Sequence, residues 1–124
     1  GRKTWESLPS RSLSGRLCVV VSRTLPPKSG RGYTIVRELP QAVYEARVWE
    51  IQHNSDDPNA FVIGGASIWK KVWPEVEEFH LTRVHSTTEG DTYFPSVDLS
   101  AWTMVETHPL EADVLAVYQR WSRD

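Results

Sequence analysis

A chain of 124 residues has the size of one domain, and 40% hydrophobic with 24% charged residues is the composition of a folded protein rather than a disordered one. The 14 basic and 16 acidic residues leave a net charge of −2, which excludes a surface built broadly for nucleic acid or anionic membrane, so any basic site has to be local. The single cysteine, Cys18, excludes a disulfide framework and a cysteine-rich zinc site, and a reducing, cytoplasmic compartment is the expectation. No apolar run approaches the roughly 18 residues of a membrane span, and Gly1-Arg-Lys-Thr-Trp5 is not the start of a signal peptide.

In chain order, Arg2 to Leu8 reads as a short helix stopped by Pro9. The run Leu17-Cys-Val-Val-Val-Ser22 is apolar and β-branched, the pattern of a strand covered on both faces. Pro26, Pro27, Gly30 and Gly32 mark a loop, and Tyr33 to Val36 a second strand. Leu39, Ala42, Val43, Ala46 and Trp49 recur at helical spacing, which predicts a helix over 40–52. After a polar loop from His53 to Asn59, Ala60-Phe-Val-Ile63 predicts a buried strand stopped by Gly64-Gly65. Ala66 to Trp73 predicts a short helix ended at Pro74. Glu78 to Val84 alternates as a strand does, and Trp102–Thr107 and Leu115–Trp121 read as two late strands. Strands alternating with helices predict an α/β fold with a mainly parallel sheet flanked by helices and an antiparallel C-terminal edge.

Three places suit an anion. Gly64-Gly65 ends a strand and opens a helix, so the backbone there can approach a ligand closely, although the spacing is not GxGxxG and a plain tight turn fits as well. Arg2, Lys3 and Thr4 begin a helix, and Ser22-Arg23 closes a strand; singly, such cations are more often solvated surface charges. Ligands in open α/β sheets sit beyond the carboxyl ends of the strands, so the three together point to a dinucleotide with an extra phosphate. His53, His80, His85 and His108 lack metal-ligand spacing, so no metal is expected. Cys18 has no evident base, there is no GxSxG elbow, the pair Asp56-Asp57 reads as a solvated turn, and the six tryptophans read as core.

Six stretches carry a resemblance to the dihydrofolate reductase family, in its order and with similar spacing. They are Gly1-Arg-Lys-Thr-Trp-Glu-Ser-Leu8, Leu13-Ser-Gly-Arg16, Val19-Val-Val-Ser-Arg23, Val62-Ile-Gly-Gly-Ala-Ser-Ile68, Leu81-Thr82 and Glu89-Gly-Asp-Thr-Tyr-Phe-Pro95. The resemblance implies NADPH-dependent reduction of 7,8-dihydrofolate to tetrahydrofolate, in one-carbon metabolism, by a single domain over 1–124. It implies that Arg2, Lys3 and Thr4 meet the cofactor's phosphates. Ser22 and Arg23, with Arg37 in support, would hold the 2′-phosphate that separates NADPH from NADH. Gly64 and Gly65 match a pair joined by a cis peptide beside the nicotinamide, within a cofactor-binding segment of Ile63, Gly64, Gly65, Ala66, Ser67, Ile68 and Trp69. On the folate side, Leu8 and Leu13 match the wall around the p-aminobenzoyl ring and Arg16 the fork for the glutamate tail. Ile63 matches a pterin neighbour, and Thr82 the threonine that supports the catalytic carboxylate.

Two departures follow from the same resemblance. Trp69 stands where the family usually has tyrosine, and an indole offers only a donor. The family's N-terminal strand, mobile loop and acid-bearing helix match nothing in this chain, so the expectation is a truncated form lacking the catalytic acid, poorly stable or prone to aggregate alone, and a monomer if complete. Two other functions compete. The reductase domain of riboflavin biosynthesis shares fold and cofactor, but Thr4-Trp-Glu-Ser7, Glu89-Gly-Asp-Thr92 and Arg16 suit the folate enzyme better. A non-catalytic remnant that binds only nucleotide or another chain is the third reading. Neither nucleic acid nor membrane is an expected partner.

Overall fold

A computed structural model describes residues 1–53, 56, 58–111 and 115–124, and these divide into two units, Gly1–Ile68 and Trp69–Asp124. Asp57 of the expected Asp56-Asp57 turn lies outside the described residues.

The first unit is built on the apolar run noted above. Helix α1 (Arg2–Glu6) precedes strand β1 (Cys18–Val21), followed by β2 (Lys28–Gly30), β3 (Tyr33–Val36) and helix α2 (Leu39–Gln52). The β1 strand pairs in parallel with β3, Val21 opposite Val36, and β2 pairs antiparallel on the far side of β3. The short β2 falls in the stretch whose prolines and glycine suggest only loop; Ser29 Oγ lies 2.9 Å from Thr34 Oγ1, tying it to β3. Trp5, Val20 and Ile35 form the core of this unit, with Leu8, Cys18, Leu25 and Tyr33 packed around it. The α2 helix packs on β1 and β3 and carries Pro40 in its first turn, where a missing N–H costs nothing. At its far end His53 Nδ1 lies 2.8 Å from the Trp49 carbonyl and its ring stacks on the indole.

One expectation fails here. The run Ala60–Ile63, expected as a buried strand, joins neither sheet, and Phe61, Val62 and Ile63 are 74%, 40% and 55% exposed. An apolar, β-branched sequence supplies side chains for a covered face, but a strand is a continuous register with a neighbouring segment, which side chains alone do not set. Among the described residues the run forms no continuous ladder with either sheet. The parallel share of the described ladders is accordingly one pair, β1 with β3, and the other pairs are antiparallel.

The second unit opens within helix α3 (Ala66–Val72), which a 3₁₀ turn over Trp73–Glu75 ends at Pro74. Strand β4 (Glu78–Val84) pairs antiparallel with β6 (Ala116–Arg123), which pairs antiparallel with β5 (Trp102–Leu110). The antiparallel C-terminal edge thus appears as expected. Pro109 is tolerated because β5 is an edge strand, and a bulge interrupts its ladder between Met104 and Glu106. One face of this sheet is aromatic. Phe79 stacks on Trp121 at 5.7 Å and meets Trp102 edge-on at 4.9 Å, while Trp73 lies 5.0 Å from Trp102. Of the six tryptophans expected as core, Trp5 and Trp102 are buried and the other four are half-buried.

The opposite face is polar and closely connected. Arg120 on the central strand donates from Nε to Glu106 (2.8 Å) and from Nη1 to Glu78 (3.1 Å). His108 contacts the second oxygen of Glu106, and His80 bridges Glu78 (2.9 Å) and the Tyr118 hydroxyl (2.7 Å). Hydrogen bonds from His108 first, and Arg120 second, hold the Glu106 carboxyl below its ordinary value of 4.5. A folded carboxyl that holds its proton less tightly than the unfolded one stabilises the fold fully above that ordinary value, and loses this contribution as pH falls through its lowered folded value. Thermal midpoints measured from pH 7 down to pH 2 are therefore expected to separate wild type from Glu106→Gln above about pH 4.5 and to converge toward the acid end. A constant gap across the range would remove the carboxylate from this role.

Candidate functional site

Trp5 is 5% exposed and sits in the core, and this single anchoring decides what α1 can present. Lys3 and Glu6 are turned to solvent and Arg2 and Thr4 are half-exposed. Arg2 Nη1 meets Glu6 at 2.8 Å, an exposed i,i+4 pair that costs only about 0.3–0.5 kcal/mol to break when a stronger anion competes. Because α1 is five residues long, its value to an anion lies in these side chains rather than in a helix dipole.

The Gly64-Gly65 corner lies directly against the start of α1. The Gly1 nitrogen donates to the Gly64 carbonyl at 2.8 Å, and a side-chain carbon on Gly65 would stand 3.8 Å from Thr4 Oγ1. The peptide between the two glycines is cis, as expected. Gly64 is buried at φ 134°, a region that side-chain-bearing residues rarely adopt. Ala66 and Ile68 follow half-buried on α3 with Ser67 exposed, and Ile63 precedes the corner in an exposed position.

A second group forms at the carboxyl ends of the parallel strands. Ser22 follows β1 and Arg37 follows β3, and the Ser22 N–H donates to the Val36 carbonyl at 2.9 Å. Ser22 is 7% exposed, and its hydroxyl accepts the N–H groups of Thr24 (3.2 Å) and Leu25 (3.0 Å), so it builds the turn that leaves Arg23 in solvent. Arg37 Nη1 donates to the Arg23 carbonyl, which puts both guanidinium side chains at one rim. Leu25, held by that same hydroxyl, packs in the cluster that contains Trp5. One small core thus supports both α1 and the Ser22–Leu25 turn.

The Leu8–Arg16 loop leaves α1 with Leu8 and Leu13 half-buried and Arg16 exposed; Arg16 donates from Nε only to the Ser14 carbonyl, at 3.3 Å. Thr82 and Trp69 belong to the second unit. Thr82 is exposed on β4 opposite Tyr118, on the polar face, and Trp69 lies 5.3 Å from Phe94, ring to ring. Among the described residues, no group of three His, Cys, Asp or Glu is placed to hold a metal, and no helix is long and apolar enough to cross a membrane.

Two arrangements escape a reading of the sequence. The polar ring of Glu78, His80, Glu106, His108, Tyr118 and Arg120 draws on three strands, and only the alternation within Glu78–Thr82 hints at its face. The contact of Trp5 with Arg11, taken up below, leaves no signature because loop residues show no period.

The profile described as dihydrofolate reductase matches residues 1–121. Dihydrofolate reductase of Bacillus subtilis is 33% identical over 107 residues, covering 86% of this chain and 58% of the relative. That of Neisseria gonorrhoeae is 34% identical over 106 residues, covering 86% and 60%. The chain thus spans about three-fifths of the length of these curated relatives. In structure it is similar to an Enterococcus faecalis dihydrofolate reductase solved with NADP(H) and RAB-propyl, with a TM-score of 0.73 and 27% identity, over 100% of this chain and 71% of that one. A cis Gly-Gly corner against the start of α1, two arginines at the carboxyl rim of parallel strands, and a profile match from Gly1 to Trp121 agree: the chain belongs to the dihydrofolate reductase family.

Proposed function

We propose that the protein bearing this chain reduces 7,8-dihydrofolate to tetrahydrofolate with NADPH, using residues 1–124 as one domain. The observation that carries the reading is the Gly64-Gly65 corner facing Thr4, whose Oγ1 would stand 3.8 Å from a side-chain carbon on Gly65, beside a separate rim of exposed arginine. A dinucleotide with a third phosphate needs both: bare backbone where its ring lies close, and cations where its phosphates end.

The residues fit NADPH. Arg23 and Arg37 offer planar donors to the 2′-phosphate, while Arg2, Lys3 and Thr4 serve the phosphates nearer the ring. Ile63, Gly64, Gly65, Ala66, Ser67, Ile68 and Trp69 line the nicotinamide side. When bound, NADPH supplies the hydride. Leu8 and Leu13 flank the p-aminobenzoyl ring, Arg16 binds the tail carboxylate, Ile63 lies against the pterin, and Thr82 orients a carboxylate contributed by the whole protein. No metal takes part, and the protein works in the cytoplasm as a monomer.

The test is NADPH oxidation at 340 nm by the full-length protein with dihydrofolate, beside the ribosylamino-pyrimidine of riboflavin synthesis. Turnover of dihydrofolate alone supports the proposal. Turnover of the pyrimidine would reassign the substrate, and NADPH-dependent quenching of tryptophan fluorescence without turnover of either would leave a nucleotide-binding protein.

A further inference from the structure

Trp5 is the most buried side chain of α1, yet its indole is also the polar anchor of the loop that follows. Its Nε1–H donates to the Arg11 carbonyl at 2.9 Å, and the Arg11 guanidinium returns over the indole ring, 5.0 Å from its centroid. The loop is held a second time at Ser12. Gly32, at φ 79°, approaches so closely that a side-chain carbon there would stand 2.7 Å from Ser12 Cβ. Leu8 packs on the core at the loop's start, and among the described residues the hydrogen bonds beyond it are short and local: Ser12 N–H to Ser10 Oγ at 3.4 Å, Arg16 N–H to the Leu13 carbonyl at 3.2 Å, and Arg16 Nε to the Ser14 carbonyl at 3.3 Å. None of these local bonds fixes the loop beyond Leu8 against the rest of the unit. A side-chain to main-chain bond from a rotamer locked in the core does, because the indole cannot turn without opening the cluster of Val20 and Ile35.

We propose that Trp5 is a positioning residue for tail recognition: the indole bond to the Arg11 carbonyl, clamped by the Arg11 side chain, sets the Leu8–Arg16 loop in the place from which Leu8, Leu13 and Arg16 meet the p-aminobenzoyl-glutamate end of the substrate. This rests on the folate reading above. It assigns α1 two duties in adjacent residues. Thr4 faces the glycine corner, and Trp5, one residue on, reaches through the core to the substrate loop. Loss of the indole N–H then weakens recognition of the tail without touching the ring that reacts.

The experiment compares Trp5→Phe, Arg11→Leu and Ile35→Val in the full-length protein. Trp5→Phe keeps an aromatic body and removes the donor. Arg11→Leu keeps the donor and its carbonyl and removes the cation over the ring. Ile35→Val trims the same core and leaves the anchor intact. Amide exchange at Ser12 and Arg16 is expected to quicken about three- to tenfold in Trp5→Phe, the worth of one net hydrogen bond, less in Arg11→Leu, and in Ile35→Val no more than in β1 and β3. Affinity for p-aminobenzoyl-L-glutamate is expected to fall by a similar factor in Trp5→Phe, and by clearly more than affinity for NADPH. In turnover, KM for dihydrofolate rises while kcat holds, and a 7,8-dihydropterin without the tail is reduced as before. Unchanged exchange at Ser12 and Arg16 in Trp5→Phe overturns the anchor. Faster exchange with unchanged p-aminobenzoyl-glutamate affinity overturns its part in recognition. Absence of turnover in wild type instead defeats the folate reading, and the exchange result still judges the anchor.

Discussion

Alanine at Gly64 is expected to cost about 1–3 kcal/mol of stability, whereas alanine at the adjacent Gly65 leaves stability nearly unchanged and weakens cofactor binding. The difference comes from the backbone. Gly64 is buried at φ 134°, where a Cβ meets its own chain whatever the surrounding space. At Gly65 the added carbon would find Thr4 Oγ1 at 3.8 Å, an ordinary contact, so the folded chain accepts it. What Gly65→Ala obstructs is the close approach of a ligand to the bare corner. If the nicotinamide lies there, one methyl group in the contact is expected to weaken NADPH by about tenfold or more, the scale of overpacking by 1–3 kcal/mol. Denaturant midpoints and tryptophan-quenching titrations with NADPH read the two effects separately. NADPH binding to Gly65→Ala with wild-type affinity would take the ring away from this corner.

Arg23→Leu is expected to reduce affinity for NADPH by about tenfold to a hundredfold, the worth of one charge-assisted contact of about 1.5–3 kcal/mol, and to leave NADH unaffected. The Ser22 hydroxyl spends itself on the Thr24 and Leu25 N–H groups, so it shapes the turn while Arg23 projects from it. Arg37→Ala should act in the same direction with smaller size, since Arg37 both adds charge and steadies the Arg23 carbonyl. Exposed cations interact through screened water, so the proposed preference for NADPH over NADH is expected to narrow as salt rises. Parallel titrations with both nucleotides at two ionic strengths measure this. Equal losses for NADPH and NADH would show that the rim holds something common to both, and the 2′-phosphate assignment would fall.

Several elements are legible from residues alone because their causes are local. Tyr33–Val36 and Glu78–Val84 are strands with the expected limits, and the helix expected over 40–52 spans Leu39–Gln52. Side-chain period sets those limits. Motif order likewise sufficed for the family, since six short stretches at similar spacing rarely coincide. The run Ala60–Ile63 shows where local information stops. Its side chains suit a strand, but pairing is a property of two segments, and the second is not written in the first. The same holds for β2, whose ladder with β3 overrides a loop-like composition.

The candidate site divides along that line. Residue chemistry by itself determined which groups can meet a phosphate or a flat ring: guanidinium at Arg23 and Arg37, bare backbone at Gly64 and Gly65, hydroxyl at Thr4. Only the tertiary structure decided that Thr4 stands beside Gly65 across 61 residues of sequence, that the Ser22 hydroxyl is turned inward, and that Trp5 reaches Arg11 through its indole. The physical reason is burial. A side chain's chemistry travels with its identity, but whether it faces ligand, turn or core is decided by the packing of Trp5, Val20, Ile35 and Leu25 into one cluster, drawn from segments that no period in the sequence connects.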